Sequence, residues 1–217
     1  MEHYPNDVLP IPKAKRVFDI VVSGLALIIL SPLFLLISLL IKIEGFFVKI
    51  SQGPIFYIET RVSQGQPFTF RKFRIFKVSA YEPLRANGQI VHTKPLERNG
   101  DNLTETGKIL KKFYLDELPQ FWNVFVGGMS LVGPRPWNPV DYQKEIARGF
   151  YRKKIIKAGL TGPVQLHKLD APAWGGEQKL DNDYINFCRQ RRGARLIFKD
   201  IGILCKSLWF MIKGQGL

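Results

Sequence analysis

The sequence predicts an α+β protein. An N-terminal re-entrant membrane helix-break-helix is followed by a small, mostly helical cytosolic domain with a short β-hairpin and interfacial amphipathic helices. Three observations predict it. Residues 20–41 run for twenty-two positions without a charge and carry Ser31-Pro32 at their middle. Two short segments of partly alternating polarity, Gly53 to Arg61 and Phe68 to Phe76, flank the turn signal Ser63-Gln-Gly-Gln-Pro67. Further on, apolar positions recur at helical spacing between Gly and Pro punctuation.

The uncharged run comes first. Roughly twenty apolar residues are enough to cross a bilayer as a helix, and no cleavage pattern follows that would make the segment a removable signal. Pro32 lacks an amide hydrogen and its ring clashes with the carbonyl four residues back, so a break or kink is expected there. On pattern alone a kinked span fits as well as a hairpin. The flanks decide: Lys13, Lys15 and Arg16 precede the run, Lys42 and Lys49 follow it, and positive flanks prefer the cytoplasmic side. One span cannot place both there, whereas a hairpin that enters one leaflet and returns can, with the Ser31 hydroxyl bonding a backbone carbonyl at the bend. The expected division is therefore a basic N-terminus and hairpin over 1–50 and one globular domain over 51–217.

Composition narrows the function classes. A chain of 217 residues, 46% hydrophobic and 12% aromatic, buries one sizeable core. A net charge of +14 calls for an anionic partner. The cations are scattered without the aromatic interleaving or zinc spacing of a nucleic-acid module, which favours a membrane surface and excludes nucleic acid. Cys188 and Cys205 match neither a disulfide framework nor a metal spacing, and both are expected reduced. His3, His92 and His167 lie far apart in sequence and are assigned no catalytic role.

In the globular part, alternation over 68–76 sets Lys72 and Arg74 on the face opposite Phe73, so the two cations project together. The polar stretch from Tyr81 to Gly100, with Pro83 and Pro95, reads as a loop. Thr106 precedes a short amphipathic helix over 108–115. Asp116 suits an N-cap and Pro119 a first helical turn, so Asp116-Glu117 is expected to open a helix from Leu118 to about Val126, ended by Gly127-Gly128. By itself such a pair is a cap or a chemical group. The segment Met129-Ser-Leu-Val-Gly-Pro-Arg-Pro136 then holds Arg135 stiffly between two prolines, a guanidinium suited to gripping a diphosphate or stacking on a base. Tyr151 to Lys157 reads as a basic helix end, Ala158 to Gln165 as a turn leading into a short strand. The final helix, about Arg195 to Lys213, packs on the core or lies in the interface plane.

Taken together, Lys15-Arg16-Val-Phe-Asp19, Ser31-Pro32, Gly53-Pro-Ile-Phe56, Lys72-Phe-Arg74, Leu115-Asp-Glu-Leu-Pro-Gln120, Asn123, Met129 to Pro136 and Leu160-Thr-Gly162 resemble the small monotopic phosphoglycosyl transferases, the bacterial sugar transferase family. The likeness runs from about Lys13 to the C-terminus. It implies a ping-pong reaction at the cytoplasmic face of the bacterial inner membrane. Asp116 attacks the sugar-proximal phosphorus of a nucleotide diphosphosugar, with UDP the expected nucleotide, and releases UMP. Polyprenol phosphate (undecaprenyl phosphate) then takes the phosphosugar from the aspartate, which initiates glycoconjugate synthesis. The resemblance also implies Mg²⁺ on Asp116 and Glu117, substrate contacts from Arg61, Lys72, Arg74, Arg135, Thr161 and Gln165, contact with membrane lipids, and a homodimer as one assembly open to it. The charge demand is physical: like charges about 4 Å apart repel by about 4 kcal/mol at an effective dielectric near 20, so cations must offset an anionic nucleophile meeting a diphosphate. The chain departs from the family pattern at Ser63, Ile75-Phe76, Leu103 and Ala158, positions that bear on the nucleotide side and sugar preference. Two other readings stand beside this one: an inactive membrane scaffold of the same fold and a nucleotide-sugar hydrolase.

Overall fold

The computed structural model describes residues 8–86, 93–167, 170–191 and 193–212. The chain begins with α1 (Lys13–Ile29) and α2 (Ser31–Phe47), then β1 (Phe56–Ser63) and β2 (Gln66–Phe73). Four helices follow: α3 (Val78–Ala86), α4 (Thr93–Arg98), α5 (Glu105–Lys112) and α6 (Gln120–Phe125). Strand β3 (Ser130–Val132) leads through α7 (Pro139–Ala147) and α8 (Arg152–Ile155) to β4 (Gly159–Thr161). The chain closes with α9 (Pro163–Leu166), α10 (Glu177–Gln190) and α11 (Ala194–Ile212).

The expected break is present. α1 and α2 meet at Leu30 with a bend of 57°. Pro32 lies in the first turn of α2, where its missing amide costs nothing, and Ser31 Oγ donates to the Ile28 carbonyl at 2.8 Å, supplying a bond the bent backbone does not. Among the described residues no single helix is long and apolar enough to cross a membrane, although this bent pair is when taken together.

α1 is inside out. Its Lys15, Asp19 and Ser23, four residues apart, are buried, while Val17, Val21 and Leu25 at the same spacing are 51–59% exposed. Lys15 Nζ lies 2.8 Å from Asp19 Oδ1 and 2.7 Å from Asp200 Oδ2. Tyr184 donates to Asp200 Oδ1 at 2.7 Å, so every charge in this buried set has a partner. Arg16 donates to the carbonyls of Val124 and Phe125, both at 2.7 Å, and so caps the C-terminal end of α6.

The chain forms two compact units, each with its own core. The first comprises 1–26, 60–70 and 121–217. Its core is built from Phe70, Val124, Met129, Leu131, Tyr184, Leu196 and Ile203 around the parallel pair β3 and β4, registered Ser130 to Gly159 and Val132 to Thr161. The second comprises 27–59 and 71–120, with Ile37, Ile41, Tyr57, Phe73, Phe76, Tyr81 and Leu110 inside. α2 feeds this core through Ile37 and Ile41 and leaves Leu35, Leu36, Leu39, Leu40 and Ile43 exposed. The β1–β2 connection is Gln64-Gly65, with φ of 52° and 74°, a turn that matches strand twist because both residues sit left-handed.

Several expectations are corrected. The loop read over 81–100 is helical where described, as α3 and α4; residues 87–92 lie outside the described set, with His92 among them. The reason is tertiary: Tyr81 is 1% exposed, and the Arg85 guanidinium lies 4.8 Å from its ring and 4.7 Å from that of Tyr57. Burial on that scale overrides weak local propensity. The helix expected at 108–115 starts earlier, at Glu105, because Thr104 is the cap: its Oγ1 accepts from Gly107 N at 2.9 Å. Asp116 does not cap a helix. It sits with Glu117 in a 3₁₀ turn, Leu115–Glu117, entered through Tyr114 at φ 56°, and α6 begins at Gln120. The segment 158–165 holds its strand first, at Gly159–Thr161, with the short α9 after it. α11 packs on the core through Leu196 and Ile203 and leaves Phe198, Leu208 and Trp209 exposed; Lys213 and His3 lie outside the described residues.

Candidate active site

In the second unit, Thr104 starts α5, α5 ends at Lys112, and the left-handed Tyr114 turns the chain so that Asp116 and Glu117 share one tight turn. Lys72, near the end of β2, reaches that turn. Its Nζ lies 2.7 Å from Glu117 Oε1 and 3.7 Å from Asp116 Oδ2. Asp116 is 6% exposed. Burial pushes its carboxyl up to about 6; Lys72 opposes that rise, while Glu117 and Glu97 add to it. The arrangement is an acid held above the ordinary carboxylate range, with a cation and a second carboxylate beside it.

Such a set fits a divalent ion shared with a phosphate. Adjacent carboxylates are hard oxygen donors, and Mg²⁺ commonly takes one or two of them with substrate phosphates and water. Among the described residues no three His, Cys, Asp or Glu side chains converge to form a site made of protein alone. The donor set therefore suits an ion completed by substrate.

Arg74, expected to project with Lys72, departs from that expectation. β2 ends at Phe73, and Arg74 is 1% exposed. Its guanidinium donates to the carbonyls of Pro54 at 2.7 Å, Phe76 at 2.7 Å and Ser51 at 2.8 Å. A planar fork met by three backbone acceptors holds loops together, and its charge faces the interior.

The remaining candidates belong to the first unit. Arg61 is half-buried with its guanidinium 5.6 Å from the Phe70 ring. Arg135 is half-buried in the extended segment between the buried Pro134 and Pro136. Thr161 is buried and its hydroxyl meets Ser207 Oγ at 2.7 Å. Gln165 is buried, and neither of its side-chain polar atoms finds a hydrogen-bond partner among the described residues. Trp137, two residues past Arg135, meets a charge cluster that sequence reading missed. Glu145 accepts from Arg152 Nε at 2.8 Å and pairs with Lys153 at 3.0 Å; Arg152 also bonds Asp181 at 3.0 Å. Lys153 Nζ lies 3.4 Å from the ring of Trp137, two residues beyond Arg135, and Val62 N bonds the Trp137 carbonyl at 2.8 Å. Burial takes the Lys153 ammonium down to about 8 and the Asp181 carboxyl up to about 6. The cluster clamps the exit of the Pro-Arg-Pro segment. Its members are spread over 137–181, and nothing in their local spacing announces them. His167, assigned no role, packs against Trp174 with ring centroids 4.6 Å apart.

Comparison with known proteins adds to this geometry. The family model described as bacterial sugar transferase matches residues 12–214. The chain is similar to a UDP-N-acetylgalactosamine-undecaprenyl-phosphate N-acetylgalactosaminephosphotransferase of Aeromonas hydrophila, 34% identical over 99% of this chain and 48% of that protein. It is similar to a UDP-glucose:undecaprenyl-phosphate glucose-1-phosphate transferase of Escherichia coli (strain K12), 34% identical over 75% of this chain and 32% of that protein. It is also similar to the exopolysaccharide production protein ExoY of Rhizobium meliloti (strain 1021), 32% identical over 89% of this chain and 86% of that protein. The chain thus spans less than half the length of the first two and most of the third.

Proposed function

Because the chain belongs to the bacterial sugar transferase family, we propose that it transfers a phosphosugar from a UDP-sugar to undecaprenyl phosphate through a covalent phosphosugar-aspartate at Asp116, and so initiates synthesis of a bacterial glycoconjugate. The observation that carries this is the buried acid beside a second carboxylate, with Lys72 Nζ 2.7 Å from Glu117 and 3.7 Å from Asp116. A carboxyl group must be ionised to attack phosphorus, yet two carboxylates facing a diphosphate repel it; Lys72 lowers that barrier from the protein side.

In the first half-reaction an oxygen of Asp116 forms a bond to the sugar-proximal phosphorus. The bond from that phosphorus to the bridging oxygen breaks, and UMP leaves with the electron pair. In the second, an oxygen of the lipid phosphate attacks the same phosphorus and the aspartate carboxylate departs. A Mg²⁺ ion held by Asp116 and Glu117 would neutralise phosphate charge in both. Arg135, stiffened by its prolines, is the proposed grip on the donor, with Arg61, Thr161 and Gln165 as further candidates; Arg74 is left out because its donors are engaged by carbonyls. The buried polar stripe of α1 and the exposed leucines of α2 support seating of the hairpin among lipids; its basic flanks favour the cytoplasmic side of the inner membrane, with the lipid acceptor's phosphate at head-group depth.

Enzyme incubated with donor alone should release UMP once per chain and gain the mass of the phosphosugar on the peptide bearing Asp116. No added mass on that peptide, with UMP still released, would exclude the aspartate intermediate. Free sugar phosphate produced without lipid would identify a hydrolase instead.

A further inference from the structure

Glu44 is a carboxylate in the last turn of α2, three residues past the end of the uncharged run of twenty-two residues. It faces the start of α5. Its Oε1 accepts from Glu105 N at 2.9 Å and from Ser51 Oγ at 2.8 Å, and its Oε2 accepts from Thr106 N at 2.8 Å. Glu105 and Thr106 are the first residues of α5, and the next amide, Gly107 N, is taken by Thr104 Oγ1. Helix starts leave such donors unsatisfied and carry partial positive charge, so a carboxylate from elsewhere in the chain is a strong tie. Burial raises the Glu44 carboxyl, but the bonds from Thr106, Ser51 and Glu105 outweigh it and hold the group below the ordinary range, charged at neutral pH.

Two routes lead from this tie to the acid pair. Along the chain, α5 runs into Tyr114 and then the turn bearing Asp116 and Glu117, so the axis of α5 sets where that turn begins. Through space, Ser51 bonds Glu44 with its hydroxyl and receives Arg74 on its carbonyl at 2.8 Å, and Arg74 stands two residues from Lys72, the cation on Glu117. The two routes meet again at Ile75: Thr104 N bonds its carbonyl at 2.9 Å, and a Cβ on Gly107 would come within 2.1 Å of the same oxygen. Only glycine lets α5 dock there. Both partners of the Lys72–Glu117 ion pair therefore trace back to one side chain at the foot of the hairpin.

We propose that Glu44 is a positioning residue for the transfer reaction: it fixes α5, and with it the Asp116–Glu117 turn, to the second leg of the hairpin, so that the seating of that leg sets the height of the acid pair. The proposal rests on the reading of the pair as catalytic. A lipid phosphate cannot follow a displaced acid far from the interface, so looseness at this tie costs reaction geometry before it costs donor affinity.

The test uses the full chain in lipid nanodiscs, lacking Cys188 and Cys205, with spin labels on cysteines replacing Phe46 and Ile109, which are 81% and 58% exposed. Glu44→Gln keeps the size of the side chain but turns an amide NH₂ toward a donor. It should lower kcat for UMP release about 10–100-fold and broaden the label-to-label distance distribution, with donor KM within about twofold of wild type. Glu105→Pro removes one of the two amides at a first helical position where proline fits, since Thr104 before it already has φ −75° and ψ 161°. Combined with Glu44→Gln, it leaves one amide for the glutamine oxygen, and the double variant should regain most of kcat and a narrow distribution. A wild-type kcat in Glu44→Gln, a lowered kcat with an unchanged distribution, or no recovery in the double variant would overturn the proposal. A wild-type enzyme that releases no UMP overturns the functional reading itself, which that control keeps separate.

Discussion

As the proposed nucleophile, Asp116 has to be ionised to attack phosphorus, yet burial favours its proton. Its carboxyl is pushed up to about 6, so the first half-reaction should be half-maximal near that pH and rise with pH as the carboxylate forms, a profile readable from the initial rate of UMP release. The linkage to stability has the opposite sign. A raised carboxyl binds its proton more tightly folded than unfolded, so stability falls as pH rises from the unfolded value near 4 through about 6. Asp116→Asn should therefore lower turnover by at least about 10³-fold. Above pH 7 it should also melt later than wild type, by about 1–2 kcal/mol, with the gain shrinking toward pH 4. Arg74 makes the contrasting case. Arg74→Met leaves three carbonyls without their donors and should cost about 3–5 kcal/mol of stability in denaturant titrations. Whatever folds should keep its donor KM; a raised KM at intact stability would return Arg74 to the substrate.

At the scale of elements, the hairpin shows how much one break decides. Pro32 stops the hydrogen-bond ladder at Ile28, and Ser31 fills the carbonyl that is left. Replacing both, as Ser31→Leu with Pro32→Leu, removes the reason for the 57° bend and allows one continuous helix long enough to span. Such a variant should carry its N-terminus to the far side of the membrane, seen as protease or label access from outside. Helix α5 is set differently, by its Thr104 cap, by Glu44 from another helix and by the space that Gly107 leaves against Ile75. Only the first is local. α1 buries a polar stripe, Lys15, Asp19 and Ser23, and leaves Val17, Val21 and Leu25 exposed, a pattern suited to apolar surroundings.

For the whole molecule, charge and topology make one prediction. With +14 overall and basic residues on both flanks of the hairpin, both ends of the chain should remain on the cytosolic side. A cysteine at Val8, 47% exposed, in a chain lacking Cys188 and Cys205, should react with an impermeant thiol reagent in inside-out vesicles and not in intact cells. Labelling in intact cells would make the hairpin a true span. The two cores also draw on the hairpin separately, α1 contributing Phe18 and Val22 to one and α2 contributing Ile37 and Ile41 to the other.

By itself the sequence determined the broken apolar helix, the β-hairpin, the acid pair and the family, because each is written in short-range terms: charge-free length, a proline at the middle, alternation about a turn, a motif of adjacent residues. Tertiary structure decided the rest. It divided two neighbouring cations, Lys72 going to the acids and Arg74 to buried carbonyls, although alternation had set them on one face. It turned a polar, proline-bearing stretch into helices through the burial of Tyr81, and moved the acid pair from a cap into a 3₁₀ turn. It also brought Glu44 across some sixty positions to the amides of Glu105 and Thr106, 61 and 62 residues away. The physical reason is common to these cases: a charged or polar group is assigned its task by whichever acceptor or donor reaches it in space, and separation along the chain carries no record of that distance.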